Sequence, residues 1–197
     1  MIKSKADYLY YLECDRIALC EKTKHPSLLI PNEVWKYQRL LRKVEYYTNC
    51  KTKSPLLYYH KYRLHRMSVL YGFHIPVNVV GPGLSIAHLG PIIINSRAQV
   101  GENCRIQTGV TLGATNGNKE APILGNNVYL GQGCKIIGNI TIADDVQIGA
   151  NAVVVKSIQE PGTTWGGVPA KKISNNSSAC NLVRATEIVK ENPNFAR

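Results

Sequence analysis

Leu124 to Val154 reads LGNNVYLGQGCKIIGNITIADDVQIGANAVV, and an aliphatic side chain returns at every sixth position: Leu124, Leu130, Ile136, Ile142, Ile148 and Val154. Glycine often follows one place later, as at Gly125, Gly131 and Gly149. A second small or apolar residue comes four places after the aliphatic, at Val128, Cys134, Ile140, Val146 and Ala152. Such a period fits neither the turn of an α-helix, about 3.6 residues, nor simple strand alternation. It fits a solenoid of short strands whose aliphatic residues fill the interior and whose corners are made by Gly, Asn or Asp. Three hexapeptides close one triangular coil, so Ile94, Leu112, Leu130 and Ile148 are expected to stack. Each coil buries its apolar face only against its neighbours, so several coils are needed for stability.

The pattern extends back through Val80, Ile86, Ile94, Val100, Ile106 and Leu112, and it breaks twice. Between Ile86 and Ile94 two extra residues fall around His88. Between Leu112 and Leu124 the intermediate position is Asn118, inside ATNGNKEAP (Ala114–Pro122), which has turn chemistry and is expected to bulge out as a loop. In a rigid solenoid, function tends to sit where the repeat is interrupted. His25, His60, His65 and His74 all precede the repeat, which leaves His88 as the only histidine within it.

The rest of the chain reads differently. Residues 1–75 are expected to form an α-helical segment that caps the first coil, residues 76–173 the solenoid, and residues 174–197 a tail with a short helix and a frayed end. EVWKYQRLLRKVEYY (Glu33–Tyr47) places Val34, Tyr37, Leu41 and Val44 at helical spacing, with Asn32 as its cap. Ser54 to Gly72 reads as another helix.

The formal net charge is +11, and residues 1–75 hold 14 Lys/Arg against 6 Asp/Glu. That basic segment could attract anionic lipid, nucleic acid or a polyanionic substrate, or be a solvated helix surface. No nucleic-acid partner is expected. The six cysteines form no Cys-x-x-Cys pair and no cluster with zinc spacing, so reduced thiols and no metal are expected. No apolar run is long enough to span a membrane, and MIKSKADYLYYLECD has no signal core, so the expected location is cytoplasmic.

GVTLG (Gly109–Gly113), IGANAVV (Ile148–Val154) and GGVPAKKI (Gly166–Ile173) make residues 70–173 resemble acetyl-CoA-dependent hexapeptide-repeat acyltransferases. Those it resembles are the serine acetyltransferases and related O-acetyltransferases of bacterial polysaccharide synthesis. The resemblance implies a mainly β fold, a left-handed parallel β-helix with an α-helical N-terminal segment, assembled as a homotrimer and possibly a dimer of trimers. It implies acetyl-CoA as co-substrate, bound between adjacent β-helices, and His88 as the catalytic base toward an acceptor hydroxyl. A neutral imidazole near neutral pH suits that task. The match places Gly113, Ala114, Thr115, Gln132 and Ala150 along the CoA groove, with Lys171 and Lys172 at the nucleotide phosphates. His74 is a weaker candidate as a partner of the base, and Trp165 either closes the core or borders the groove.

The sequence also departs from serine acetyltransferases. Ala87 stands where they carry Asp before the base, Phe73-His74-Ile75-Pro76 where they carry Asp-Ile-His-Pro, and Glu120-Ala121-Pro122 where they carry Arg-His-Pro. Free serine is a zwitterion that needs charged clamps, whereas a sugar hydroxyl does not. A sugar or capsular or exopolysaccharide unit is therefore expected as acceptor, with serine O-acetylation in cysteine synthesis as the alternative and a non-catalytic scaffold as the third reading. A β-helix carbonic anhydrase would need three histidine ligands, and a β-helix nucleotidyltransferase a preceding glycine-rich domain; neither is present.

Overall fold

The computed structural model describes residues 1–27, 32–115 and 120–192. Three helices come first: α1 (Lys5–Ala18), α2 (Glu33–Cys50) and α3 (Leu56–Tyr71). Asn32 caps α2 as expected, its side chain accepting from the Trp35 N–H. Gly72 ends α3 in the left-handed conformation that glycine tolerates best.

From Phe73 the chain winds into a left-handed parallel β-helix of triangular section. One face has five strands: Phe73–His74, Ile92–Ile94, Thr111–Gly113, Lys135–Ile137 and Val153–Val154. A second has three: Gln99–Val100, Ile123–Leu124 and Thr141–Ile142. The third has six, from Ser85–Ile86 through Arg105–Ile106, Tyr129–Leu130, Gln147–Ile148 and Thr164–Gly166 to Lys171–Ser174, the last being antiparallel. Every aliphatic residue of the repeat, and each small residue four places on, points inward and is buried. A fully buried Ile or Leu contributes about 1.5–3 kcal/mol relative to exposure, so the interior stack is the main source of stability.

The stacking differs from a uniform coil. Ile94 lies over Leu112 and Leu130 over Ile148, but Leu112 lies over Ile136 rather than Leu130. Leu130 is on the six-stranded face, below Ile106. After Thr111–Gly113 on the five-stranded face the wall resumes at Ile123–Leu124 on the three-stranded face, one face behind the place a strict repeat would give Leu124. The tip of the expected bulge, residues 116–119, lies outside the described residues.

Corner residues carry the turns. Along the edge between the three- and six-stranded faces Asn103, Asn127 and Asp145 all have positive φ, a conformation Asn and Asp tolerate because their side chains bond locally. Their side chains form a ladder, Asn103 donating to Asn127 at 2.9 Å and Asn127 to Asp145 at 3.1 Å. The C-terminal segment returns along this edge. Arg184 pairs with Asp145 at 2.6 Å, Thr186 N–H donates to Asn103 at 3.0 Å, and α4 (Ala185–Glu191) packs Ala185 and Val189 on Cys14 and Ala18 of α1. The expected terminal helix is thus docked, and the expected frayed end, residues 193–197, lies outside the described residues.

The helical segment joins the solenoid through buried polar groups as well as apolar ones. The Arg42 guanidinium, fully buried, donates to Asp15 at 2.8 and 3.2 Å, to Glu45 at 3.0 Å, and to the carbonyls of Val80 and Gly81 at 2.8 and 2.6 Å. Asp15 also accepts from the Gly83 and Leu84 N–H groups at 3.0 and 2.9 Å. Burial disfavours the Arg42 charge, but the Asp15 and Glu45 carboxylates outweigh it and raise its pKa, so it stays charged. Removing one member of such a set strands buried charges. Arg42→Ala should lower the unfolding free energy by about 3–5 kcal/mol, read by urea denaturation; a loss under about 1 kcal/mol would show that the network is dispensable.

Burial pushes the Cys14 and Cys134 thiols up to about 12, and Cys104 higher still, whereas Cys20 and Cys180 are exposed. Since the thiolate is the nucleophile, iodoacetamide should label Cys20 and Cys180 in the folded protein and reach Cys14, Cys104 and Cys134 only after denaturation, as peptide mass mapping would show.

Candidate active site

His88 follows the strand Ser85–Ile86 at the edge where the six-stranded face turns into the five-stranded one. Ile86 pairs with Ile106 and Ile94 with Leu112, so both extra residues are accommodated in the arc from Ala87 to Pro91. Gly90 makes the arc possible: its φ is +131°, and a Cβ there would stand 2.3 Å from Thr108 Oγ1. The His88 side chain is exposed and, among the described residues, has no hydrogen-bond partner. Its imidazole is thus open to an incoming hydroxyl.

The backbone leading to His88 is held on both sides. Below, Ser85 and Ala87 N–H donate to the carbonyls of Cys104 and Ile106, each at 3.0 Å. Above, no coil precedes it, and the buried Gln38 side chain of α2 takes the place of a strand. Its Nε2 donates to the Leu84 carbonyl at 2.8 Å and its Oε1 accepts from the Ile86 N–H at 3.0 Å. Arg105 reaches up to Ser85 Oγ at 2.7 Å.

The residues expected around CoA fall into three groups. The pairing Ile86, Ile106, Leu130, Ile148, Trp165 sets the register. Two places further on, the same corner position of successive coils is held by His88, Thr108, Gln132, Ala150 and Gly167. Coils rise by about 4.8 Å, so Gln132 and Ala150 lie about 10 and 14 Å along the edge from His88, and both are exposed. Gly113, Ala114 and Thr115 are on a different edge, where the five-stranded face turns into the three-stranded one. The width of a face, roughly 15 Å, separates them from the His88 edge within one chain. Lys171 and Lys172 lie on the antiparallel strand at the far end, paired with Gly166 and Trp165. Lys172 is ion-paired with Glu160 at 2.6 Å, while Lys171 is exposed and, among the described residues, has no such pair.

His74, expected to precede the repeat, is instead exposed on the top strand of the five-stranded face, opposite Ile93, so His88 is not the only histidine of the β-helix. Trp165 packs against the core from the last coil, its indole N–H donating to Thr163 at 2.9 Å. Glu120 accepts from Asn139. Among the described residues no carboxylate forms a hydrogen bond or ion pair with the His88 imidazole, in keeping with Ala87. Among the described residues no group of three His, Cys, Asp or Glu could hold a metal ion.

Two features were not read from the sequence. One is Gln38, which lies on the same helix face as the apolar residues and has no local signature. The other is a cleft of about 340 Å³ on the six-stranded face, between Arg105, Gln107 and Tyr129 and the returning segment Cys180–Val183. Gln107 stands directly below Ala87 in register and donates to the Tyr129 hydroxyl at 3.3 Å. Arg105, Gln107 and Tyr129 could have been picked out as large outward residues, but the covering segment has no period.

Residues 121–156 match the family described as Bacterial transferase hexapeptide (six repeats). About half of the chain is, further, homologous to serine acetyltransferases. It is 41% identical over 99 residues to the serine acetyltransferase of Helicobacter pylori strain J99, covering 49% of this chain and 57% of that one. It is 40% identical over 103 residues to that of Mycobacterium tuberculosis strain H37Rv, covering 51% and 44%. The chain therefore spans about half the length of these relatives. Serine acetyltransferase from Brucella abortus strain S19, whose crystal structure is in complex with coenzyme A, matches with a TM-score of 0.70 at 25% identity over 88% of this chain and 70% of that one.

Gln38→Ala would leave the Leu84 carbonyl and Ile86 N–H buried without partners, at about 1–3 kcal/mol each. The expected loss of stability is about 2–4 kcal/mol, measured by denaturant titration, and hydrogen exchange at Ile86 should rise more than at Ile136. Unchanged protection at Ile86 would rule out the clasp.

Proposed function

We propose that the chain is an acetyl-CoA-dependent O-acetyltransferase with His88 as its general base. The observation that carries this reading is the edge itself: an exposed imidazole without a partner, at a two-residue slip, in line with the small or slender positions Thr108, Ala150 and Gly167. A flexible pantetheine arm needs such a track, and Lys171 at its far end suits the phosphates. Homology to serine acetyltransferases, one of them crystallised with coenzyme A, points the same way.

In the proposed reaction the acceptor oxygen attacks the thioester carbonyl while His88 takes its proton. The C–S bond then breaks, and His88 returns the proton to the departing sulfur. Backbone N–H groups around the arc are suited to the oxyanion. Because Ala114 and Thr115 are a full face away from His88, a second copy is required to bring the two edges together, and a homotrimer is the closed arrangement that lets every copy do so. The same proposal allows two such trimers to stack.

For the acceptor, the names of the relatives favour serine over the saccharide expected above, and serine is the acceptor we put first. One observation keeps the saccharide as the second reading: among the described residues no acidic or basic side chain is bonded to His88, while the cleft beneath Ala87 offers Tyr129, Gln107 and Arg105, a stacking and hydrogen-bonding set that suits a sugar ring.

Acetyl-CoA consumption against serine and a panel of sugars and polysaccharides separates the two. His88→Ala should lower the rate by at least about 100-fold while CoA still binds. Lys171→Ala should weaken CoA binding several-fold, by about 1 kcal/mol, with a kcat close to that of the parent chain. Transfer retained in His88→Ala would overturn the catalytic assignment, and absence of CoA binding to the parent chain would favour the scaffold.

A further inference from the structure

Helix α3 is apolar on two opposite faces, and the fold covers one. Leu57, His60 and Leu64 are turned inward. On the far side Tyr58, Tyr62, Val69 and Leu70 are 72%, 61%, 70% and 74% exposed. At about 100° per residue, Tyr58, Tyr62 and Val69 form one line opposite Leu57 and Leu64, with Arg66 beside it and Tyr59 and Leu70 flanking. A second apolar stripe left exposed in this way marks a contact surface.

The stretch of sequence that carries this face has charge of one sign. From Tyr46 to Gly101 the sequence holds Lys51, Lys53, Lys61, Arg63, Arg66 and Arg97 and not a single Asp or Glu. Arg63 lies over the Tyr59 ring at 5.7 Å, and among the described residues none of Lys61, Arg63 and Arg66 has an ion pair. The rest of the chain has little to offer them. Every Asp and Glu side chain except Glu191 already accepts a hydrogen bond or ion pair inside the chain. Packing this face on another copy of itself would set cations against cations.

We propose that the outward face of α3 docks on an anionic lipid bilayer. Tyrosines settle at the headgroup level, Lys61, Arg63 and Arg66 meet the phosphates, and Val69 and Leu70 enter the acyl boundary. The two aliphatic residues favour lipid over nucleic acid, whose phosphates would engage the cations but leave Val69 and Leu70 in water. This binding lies on the surface: no described helix is long and apolar enough to cross a membrane. It is independent of the acetyl-transfer reading.

The test uses the full chain and vesicles of phosphatidylcholine, alone or mixed with phosphatidylglycerol. Sedimentation should recover the protein with the mixed vesicles only, and added salt should release it. The triple variant Lys61→Gln, Arg63→Gln, Arg66→Gln should bind roughly tenfold more weakly or worse, and so should Val69→Ser with Leu70→Ser. A charge-matched control at exposed sites elsewhere, Lys5→Gln, Lys22→Gln, Lys156→Gln, should bind like the parent. Circular dichroism and gel filtration check that each variant folds and keeps its mass. The proposal is overturned if the mixed vesicles bind no better than phosphatidylcholine, or if the control weakens binding as much as the α3 variant. It is overturned equally if Val69→Ser with Leu70→Ser changes the oligomer mass but not the lipid binding, or if a single-stranded oligonucleotide binds more tightly than the mixed vesicles and loses nothing on that substitution.

Discussion

A parallel β-helix leaves a rim of peptide groups on its first coil that no further coil can satisfy. In this chain the rim at Val80 to Ile86 is closed by side chains from the helices. Arg42 takes the Val80 and Gly81 carbonyls, Asp15 takes the Gly83 and Leu84 N–H groups, and Gln38 takes the Leu84 carbonyl and Ile86 N–H. Without that seal several buried donors and acceptors would be unpaired together, each a penalty of about 1–3 kcal/mol. The seal also gives the helices one way to sit on the coil, because each side chain is matched to a particular peptide group. His88 lies two residues beyond the last sealed group, so the order of the site begins in the helical segment.

The hexapeptide period made the solenoid legible because it is a local signal repeated many times. The inward residues could be named in advance, from Val80 to Val154, and the slip at His88 was visible as a change of phase. The stacking after Leu112 was misplaced for a physical reason. Counting in sixes assigns position 118 a place in the wall, although Asn-Gly-Asn-Lys offers no apolar residue to fill the interior. The wall passes instead from Thr111–Gly113 to Ile123–Leu124 on the next face, which moves Leu130 from beneath Leu112 to beneath Ile106. The polar seal was hidden for a different reason. On α2 the periodic apolar residues Tyr37, Leu41 and Val44 predict an inward face, yet Gln38, Arg42 and Glu45 on that face are just as buried. Arg42 and Glu45 are one helical turn apart, but their other partners and those of Gln38 lie 27 to 48 positions away in sequence, and a helical period carries no trace of those.

The candidate site was legible in part. The register places His88, Gln132 and Ala150 at equivalent corners, while Gly113 to Thr115 belong to another edge. Sequence spacing cannot tell these situations apart, since both sets are corner residues of hexapeptides. In the proposed assembly one protomer would supply the base and one wall of the groove, and a neighbour the loop wall. A departure in either wall would then act across that interface. Glu120 lies on the loop edge, where the enzymes this chain resembles carry a cation, and Ala87 on the base edge, where they carry an acid. Both changes remove a charge that could clamp a zwitterion, and they do so from opposite walls.

The distribution of charge follows the same division of labour between edges and ends. Carboxylates are spent inside: on the seal (Asp15, Glu45), on the corner ladder that holds the tail (Asp145) and on the hairpin at the far end (Glu160). Cations are left over at the helical end, where α3 is apolar on its outer side as well. A surface of that composition is costly to leave in water, since the aliphatic groups gain nothing from solvent and the like charges repel one another. Its persistence beside an otherwise well-paired molecule argues that the helical end of the fold faces something anionic and partly apolar, while the edges of the β-helix are free to face each other.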